Sequence, residues 1–418
     1  MDAGALGLYA CLFVALYFEV FLMISFFEKR PSKKDSYLPA RYPSVSMLVP
    51  CFNEEKTLAG TIDSLLAMEY PKEKLEIVVI DDGSTDRTAE IAKRYEQACH
   101  APDYSGAVVS FLQKQNGGKY TALNLGIERS HGEIIGCLDA DSFAAPDALM
   151  EAVKMFGNDP ATMAITPAMQ VYKPRKMLEL MQSVEYTFGI FYKKMFDNLS
   201  AINVLPGPFS MYKREVFQKI GAFRHAHNTE DMEIAFRMHQ NGLRIVNAHT
   251  AYVYTTVPYT VRTLLRQRVR WSQGFLENAR DYKHMFFNRR FGNFGMLVLP
   301  FALSAFVAGI YSVLYVVYRF ASVGVERLGD RFATGVPLTL PHLPHIDWFF
   351  LNVGMMTFVI AAVLLLTLVA IWIGSDIAKT RLTPKAFFAY FAFFGLLAPL
   401  WLIRAAWGAA LARESAWR

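Results

Sequence analysis

Residues 133–141 read EIIGCLDAD. The first six, apolar after Glu133, have strand length, and the last three place Asp139 and Asp141 one residue apart where that strand ends. Two carboxylates so placed can both reach a hard divalent cation: Mg²⁺ and Mn²⁺ favour oxygen ligands and commonly take one or two carboxylates plus substrate phosphates. A solvated turn would carry the same pair, so the neighbouring sequence has to decide. Upstream, Ser44–Pro50 (SVSMLVP), Leu75–Ile80 (LEIVVI) and Val108–Gln113 have strand character, and the second runs into Asp81-Asp82-Gly83-Ser84. Between them, Thr57–Met68, Thr85–Ala98 and Lys119–Arg129 have helical periodicity. Alternation of this kind implies βαβ units and a mostly parallel sheet, whose ligands sit beyond the carboxyl ends of the strands. Asn53-Glu54-Glu55, Asp81-Asp82 and Asp139–Asp141 all fall at such ends, so acidic and amide groups converge on one crevice.

Around this soluble α/β region the chain is apolar. Of 418 residues, 53% are hydrophobic, enough to exclude disorder. The net charge of +6 is too mild for nucleic-acid binding, and the basic residues form no long block. Cys11, Cys51, Cys99 and Cys137 lack metal-ligand spacing and read as reduced core residues. The histidines show no HxxxH pairing, so a zinc site is not expected. Ala5–Phe27, Phe291–Tyr318, Trp348–Ser375 and Ala386–Ile403 are each apolar enough to cross a bilayer, a task for about 20 residues. A cleaved signal peptide is the weaker reading of the first run, which has no basic residue before it and ends in bulky Ser25-Phe26-Phe27. Glu28-Lys29-Arg30 and Lys33-Lys34 follow it, which puts the N-terminus outside and residue 30 onward in the cytoplasm. The expected division is a transmembrane helix in 1–30, an α/β domain in 31–290, and a transmembrane region in 291–418 with spans at 291–318, 348–375 and 386–403. Between the second and third spans lies an external loop, 321–347.

Further segments carry chemistry less distinctly. Gln115–Leu123 (QNGGKYTAL) sets Lys119 after a Gly-Gly pair at a helix start, where it is either a phosphate contact or a plain loop lysine. Thr229-Glu230-Asp231 opens a helix, with the threonine as N-cap and the acids in the first turn. Arg262–Trp271 (RTLLRQRVRW) suits a basic amphipathic helix at a membrane surface. It equally suits phosphate recognition by arginine forks beside an aromatic sugar platform. Met177, Leu180, Met181, Val184, Phe188, Phe191 and Met195 recur at helical spacing, giving either an interfacial helix near 176–197 or a buried core helix. A second interfacial segment is expected near 260–290, where Lys283–Arg290 (KHMFFNRR) reads as a basic anchor.

Taken in order, Asp81-Asp82-Gly83-Ser84, Asp139-Ala140-Asp141, Thr229-Glu230-Asp231 and Gln267-Arg268-Val269-Arg270-Trp271 resemble the motifs of processive, membrane-integrated family 2 glycosyltransferases. That group includes the cellulose, chitin, hyaluronan and poly-N-acetylglucosamine synthases. Gly117-Gly118-Lys119 with Ala122-Leu123-Asn124, and Gly207-Pro208 ahead of Met211-Tyr212, are similar to the branch without cellulose synthase. The resemblance covers residues 44–280 closely and the flanking spans in layout only.

The resemblance implies a GT-A nucleotide-diphosphosugar domain at the cytoplasmic face of a multi-pass cell-membrane protein. It implies a UDP-sugar donor, with UDP-N-acetylglucosamine the best guess, a growing polysaccharide acceptor and contact with membrane lipid. A homo-oligomer or an accessory export subunit is compatible with it. By the same resemblance Asp81 contacts uridine with Asn53 near it, and Asp139 faces the nucleotide. Asp141 ligates Mg²⁺ or Mn²⁺, and Lys119 adds a phosphate contact. Asp231 is the general base, while Gln267, Arg270 and Trp271 hold diphosphate and acceptor. Inversion to a β-linkage and passage of the polymer across the membrane are implied likewise. Two other classes remain in view: a non-processive enzyme adding one sugar to a lipid carrier, and a transporter or receptor with a degenerate domain. The second would be expected to lose some of Asp139, Asp141 and Asp231, and all three are present.

Overall fold

The structure is a computed structural model and describes residues 3–28, 41–101, 104–335 and 354–411. Lys29, Arg30, Lys33 and Lys34, and positions 336–353 of the expected loop and third span, lie outside the described residues. The chain opens with α1 (Ala3–Glu28) and enters β1 (Val45–Cys51), α2 (Leu58–Leu66), β2 (Leu75–Asp81), α3 (Thr88–Cys99), β3 (Val108–Gln113), α4 (Lys119–Arg129) and β4 (Ile134–Cys137). It continues through β5 (Ser142–Ala144), α5 (Ala148–Asn158), β6 (Thr162–Val171), α6 (Met177–Asn198), β7 (Met211–Lys213), α7 (Arg214–Ile220), α8 (Glu230–Gln240), β8 (Arg244–Thr255) and α9 (Val261–Asp281). The last helices are α10 (Leu299–Thr334), α11 (Met355–Ile377), α12 (Pro384–Ala389) and α13 (Gly395–Ala410). Two compact units result: one is Glu28–Pro300 with Ile371–Arg418, the other Met1–Phe27 with Phe301–Ala370.

The larger unit holds an eight-stranded sheet in the order β3-β2-β1-β4-β7-β6-β8-β5. β1, β2, β3 and β4 pair in parallel, as do β6 and β8, whereas β7 and β5 pair antiparallel with their neighbours. Successive β1 residues point to opposite faces. Val45, Met47 and Val49 join Ile77, Val79 and Leu58, Ile62 and Leu65 of α2 in one core cluster. Leu48 joins Val78, Ile80, Ala122 and Leu123 of α4, and Ile234 and Met238 of α8, in the other. With a core on each face, the central strands have no solvent side, which is why they read as continuous apolar runs. Truncating one such side chain, Ile77→Ala for instance, would cost about 2–5 kcal/mol.

The antiparallel β5 and β7 and the long β8 follow segments with little strand periodicity. β5 and β7 are three residues each, too short to show alternation. α6 buries Met181 and Val184 with Leu264 of α9 and with Ala386, Ala389 and Tyr390 of the C-terminal helices. Nearly two turns further on, Ile190 packs on Ala168 of β6. The helix thus serves the sheet and the last apolar helix at once.

Four helices are long and apolar enough to cross a membrane: Gly4–Phe27, Phe294–Thr334, Met355–Ile377 and Pro384–Ala410. The second corrects the expected boundary at Tyr318. It begins with a π turn at Phe294–Val298 and continues through Thr334, so residues 321–334 of the expected loop are helical. Arg319–Thr334 is too polar for a hydropathy reading to include, yet it contains no proline, and the helix stops beside Gly335 with φ +66°. The fourth carries a π turn at Tyr390–Phe394 and Pro399 within α13. In the smaller unit, Thr367 Oγ1 donates to Glu19 Oε1 at 2.9 Å, joining α1 to α11, and Tyr311 Oη donates to the Gly4 carbonyl at 2.9 Å. All four cysteines are free of disulfides, and Cys51 and Cys137 are buried.

Candidate active site

Parallel strands end on one edge, and the loops leaving β1, β2 and β4 meet there. Asp81 closes β2 opposite Cys51 of β1. Its side chain is fully buried: Oδ1 accepts from Ser84 N at 3.0 Å and Ser84 Oγ at 2.5 Å, and Oδ2 accepts from Gln113 Nε2 at 3.0 Å. Asp82 Oδ1 accepts from Lys114 Nζ at 2.6 Å and Gly117 N at 3.0 Å, and Oδ2 from Gly118 N at 2.8 Å. Gly118, with φ +90°, makes this turn into α4 possible without strain. Asn53 has φ +56°; its N–H donates to Ser84 Oγ at 2.9 Å and its Oδ1 accepts from Thr85 N at 2.8 Å. Asp81 and Asn53 therefore tie loops together, while Asp82 and Glu54 reach the wall of the adjoining cleft.

That cleft has a volume of about 580 Å³ and gathers Lys119, Asp139, Asp141, Glu230, Asp231, Gln267, Arg270 and Trp271. Of the nine residues singled out by sequence, seven line it, Asn53 and Asp81 being the two that do not. Lys119 ion-pairs with Asp139 and lies 3.6 Å from Glu230. Burial alone would pull its ammonium down, but Asp139 and Glu230 hold it above the ordinary lysine value. Gly207 closes over this pair: a Cβ there would lie 2.6 Å from the Asp139 carboxylate and would collide with Lys119 Nζ. Asp141 accepts from Ser142 Oγ at 3.1 Å, and its carboxyl is raised to about 6, first by burial and then by Asp139. Among the described residues no three His, Cys, Asp or Glu side chains form a ready-made ion cage.

The opposite wall comes from α8 and α9. Thr229 sits at the N-cap of α8 and places Asp231 in the first turn, where Oδ1 accepts from Met232 N at 2.9 Å. Burial, and then Glu230, raise the Asp231 carboxyl to about 6. The approach to this turn is strained: Ala226, His227 and Asn228 have φ of +45°, +54° and +60°. α9 clamps it. Arg270 donates to the Asn228 carbonyl at 2.8 Å, Asn278 Nδ2 donates to Thr229 Oγ1 at 2.9 Å, and His227 contacts Asp281 at 2.8 Å. Gln267 Oε1 is buried and, among the described residues, finds no hydrogen-bond partner, an acceptor left over in a cleft wall.

Residues 46–221 match the model of glycosyl transferase family 2, and residues 134–403 that of glycosyl transferase family group 2. The poly-beta-1,6-N-acetyl-D-glucosamine synthase of Staphylococcus epidermidis is 30% identical over 309 residues, covering 72% of this chain and 72% of that protein. The chain belongs to the family 2 glycosyltransferases. The synthase of the same name from Staphylococcus aureus strain COL is 30% identical over 272 residues, and the match spans 65% of this chain and 63% of that protein's length. Among solved structures, a mannosyltransferase from Pyrobaculum calidifontis in complex with GDP-Man and Mn²⁺ superposes with a TM-score of 0.67 at 22% identity, covering 99% of both chains. The fold of this glycosyltransferase is thus GT-A, with a helical region of four apolar segments.

Some residues of the site carry no sequence signal. Tyr186 lines the cleft, its phenol pushed up to about 12 by burial against the pull of Arg268. Lys193, on the same helix but outside the cleft lining, donates to Thr166 Oγ1 at 3.3 Å, and burial holds its ammonium down near 8. Both belong to α6 but not to its apolar stripe, and the periodicity registers only the apolar positions.

Proposed function

We propose that this glycosyltransferase polymerises a UDP-sugar, UDP-N-acetylglucosamine in the first instance, into a β-linked polysaccharide. The carrying observation is that Asp231, on the same wall as arginine and tryptophan of α9, lines the same cleft as Asp139 and Asp141. An acceptor hydroxyl is a poor nucleophile at neutral pH, and a carboxylate within reach must take its proton. Asp231 fills that role: with its carboxyl raised to about 6, it is deprotonated at pH 7 and a better base than an ordinary aspartate. Direct displacement with one base inverts the donor's anomeric carbon. Gln267 offers its Oε1, unpaired among the described residues, as an acceptor, Arg270 a guanidinium for the leaving diphosphate, and Trp271 a ring face for the acceptor sugar.

Asp139 and Asp141 fit a divalent cation. They are neighbouring carboxylates in the cleft; Asp139 is already paired with Lys119, whereas the raised carboxyl of Asp141 marks a position short of positive charge. They would hold Mg²⁺ or Mn²⁺ together with the substrate diphosphate, and such an ion would offset the charge of the departing UDP. Lys119 sits between Asp139 and Glu230 and orients the first of these carboxylates. The names of the staphylococcal relatives support N-acetylglucosamine as the sugar.

The four apolar helices fit a multi-pass membrane protein with its catalytic domain in the cytoplasm, where UDP-sugars are made, and they fit passage of the growing chain outward. A reporter at residue 380 would then be cytoplasmic and one at residue 335 would not; finding residue 335 inside overturns that topology. The donor reading is tested by incubating the purified protein with a panel of UDP-sugars and following UDP release. Fastest release is expected from UDP-N-acetylglucosamine and is expected to stop in EDTA. Full turnover in EDTA contradicts the cation, and faster release from another sugar contradicts the donor.

A further inference from the structure

Trp271 does not stand alone in the cleft wall. Arg268 lies three residues before it on α9, on the same helix face. The Arg268 guanidinium sits 4.4 Å from the centre of the Trp271 ring. Its Nη2 donates to Glu185 Oε2 of α6 at 2.8 Å. The pair is withdrawn from water, with side-chain exposures of 6% for Arg268 and 24% for Glu185. Among the described residues Arg268 Nε finds no acceptor. Tyr186, the next residue on α6, reaches the cleft. Around the pair, Met181 and Val184 of α6 pack with Leu264 of α9.

An apolar pair would join two such helices as well, because desolvation cancels most of the Coulomb gain of a buried ion pair. What an apolar pair cannot supply is orientation. A guanidinium is planar, its fork is fixed by the carboxylate it meets, and its face attracts an aromatic ring. Glu185 fixes Arg268, and Arg268 occupies one face of the indole.

We propose that Arg268 and Glu185 are positioning residues that hold the Trp271 ring so that its other face receives the terminal sugar of the acceptor, a β-linked pyranose chain end. The proposal rests on the reading of Trp271 as the acceptor platform. Neither residue touches the donor or the reacting hydroxyl; both act through the tryptophan.

The test uses the full-length protein in lipid bilayers and compares R268M, E185Q, R268K, the exchanged pair E185R/R268E and the control W271A. Two rates are read for each: UDP released with water as acceptor, and sugar added to an oligosaccharide. R268M and E185Q should lose about tenfold or more in extension relative to hydrolysis, as misplacement of a reactant does, while KM for UDP-N-acetylglucosamine stays within about threefold. R268K keeps the charge but not the planar fork, so its extension should fall between those of the parent and R268M. Acrylamide quenching of Trp271, taken as the difference from W271F, should increase in R268M. E185R/R268E restores the ion pair but moves the cation off the ring, so it should remain defective; restored extension would mean a merely structural pair and overturns the proposal. A parental ratio in both R268M and E185Q overturns it too. Should R268M fail to accumulate, E185Q carries the same expectation. If W271A leaves the ratio unchanged, the acceptor reading fails and the proposal with it. If W271A shifts the ratio and R268M and E185Q do not, only the positioning role fails.

Discussion

The two walls of the cleft are finished to different degrees. On the wall built by β1, β2 and the start of α4, polar groups are spent on one another: both oxygens of Asp81 and of Asp82 have protein donors, and Asn53 ties two loops. On the wall built by α8 and α9, Gln267 Oε1 finds no partner among the described residues, Asp231 carries a raised carboxyl, and Arg270 gives one donor to a backbone carbonyl of a strained turn. Three successive left-handed non-glycine residues cost on the order of 1 kcal/mol each, a cost the clamp from α9 helps to offset. A wall whose polar groups are already satisfied can bind without rearranging. A wall with unmet groups keeps its interactions for substrate, which is where differential stabilisation of a transition state has to come from.

If that contrast is real, substitutions on the two walls separate binding from turnover. The largest effect is expected for Asp231→Asn, which keeps shape but cannot take a proton. Turnover should fall roughly 10²–10⁴-fold, with UDP affinity within about threefold by titration calorimetry. Loss of UDP binding with normal turnover at saturating donor would move Asp231 to the binding wall and send the search for the base to Glu230. Gly207→Ala sharpens the contrast from the other side. Its new Cβ would meet Asp139 and Lys119, so KM for the donor should rise about tenfold or more while kcat changes less, read from initial rates. Trp271→Ala should reduce extension about tenfold more than donor hydrolysis, seen as a changed ratio of polymer to free sugar.

The pH response should be the smallest difference and should belong to the unfinished wall. Asp231 must be ionised to act, so kcat should fall as pH drops through about 6. For stability the sign is reversed. A carboxyl raised in the folded state favours folding below its unfolded value, and that contribution is lost as pH rises through about 6. Ligand-free Asp231→Asn should therefore melt roughly 2–4 °C above the parent at pH 7.5 and together with it near pH 4. Equal melting at both pH values would show that Asp231 carries no such penalty.

The finished wall was also the more legible in sequence. β1, β2 and β4 are buried on both faces, β3 is the half-buried edge, all four alternate with helices, and Val108–Gln113 and Lys119–Arg129 fall where the periodicity puts them. Strand ends could be found, and with them Asp139 and Asp141. Which of two adjacent acids faces the cleft could not: Asp81 turns inward to Ser84 and Gln113, and Asp82 is the one at the wall. That choice depends on loop hydrogen bonds that leave no period. Beyond residue 141 short antiparallel strands give no pattern, and α8 and α9 were placed by motif. The Glu185–Arg268 pair joins helices 83 residues apart and was invisible for that reason. Hydropathy located the apolar helices but not the end of α10, because Arg319–Thr334 is polar and still helical.

The most direct test of the account is the length distribution of the product. The purified protein in bilayers, given UDP-N-acetylglucosamine and Mg²⁺ or Mn²⁺, should yield a ladder of β-linked hexosamine chains by mass spectrometry. Both walls must then work in turn, the donor wall reloading while Trp271 holds the chain. A product one sugar longer than its acceptor, or free sugar alone, would contradict the account.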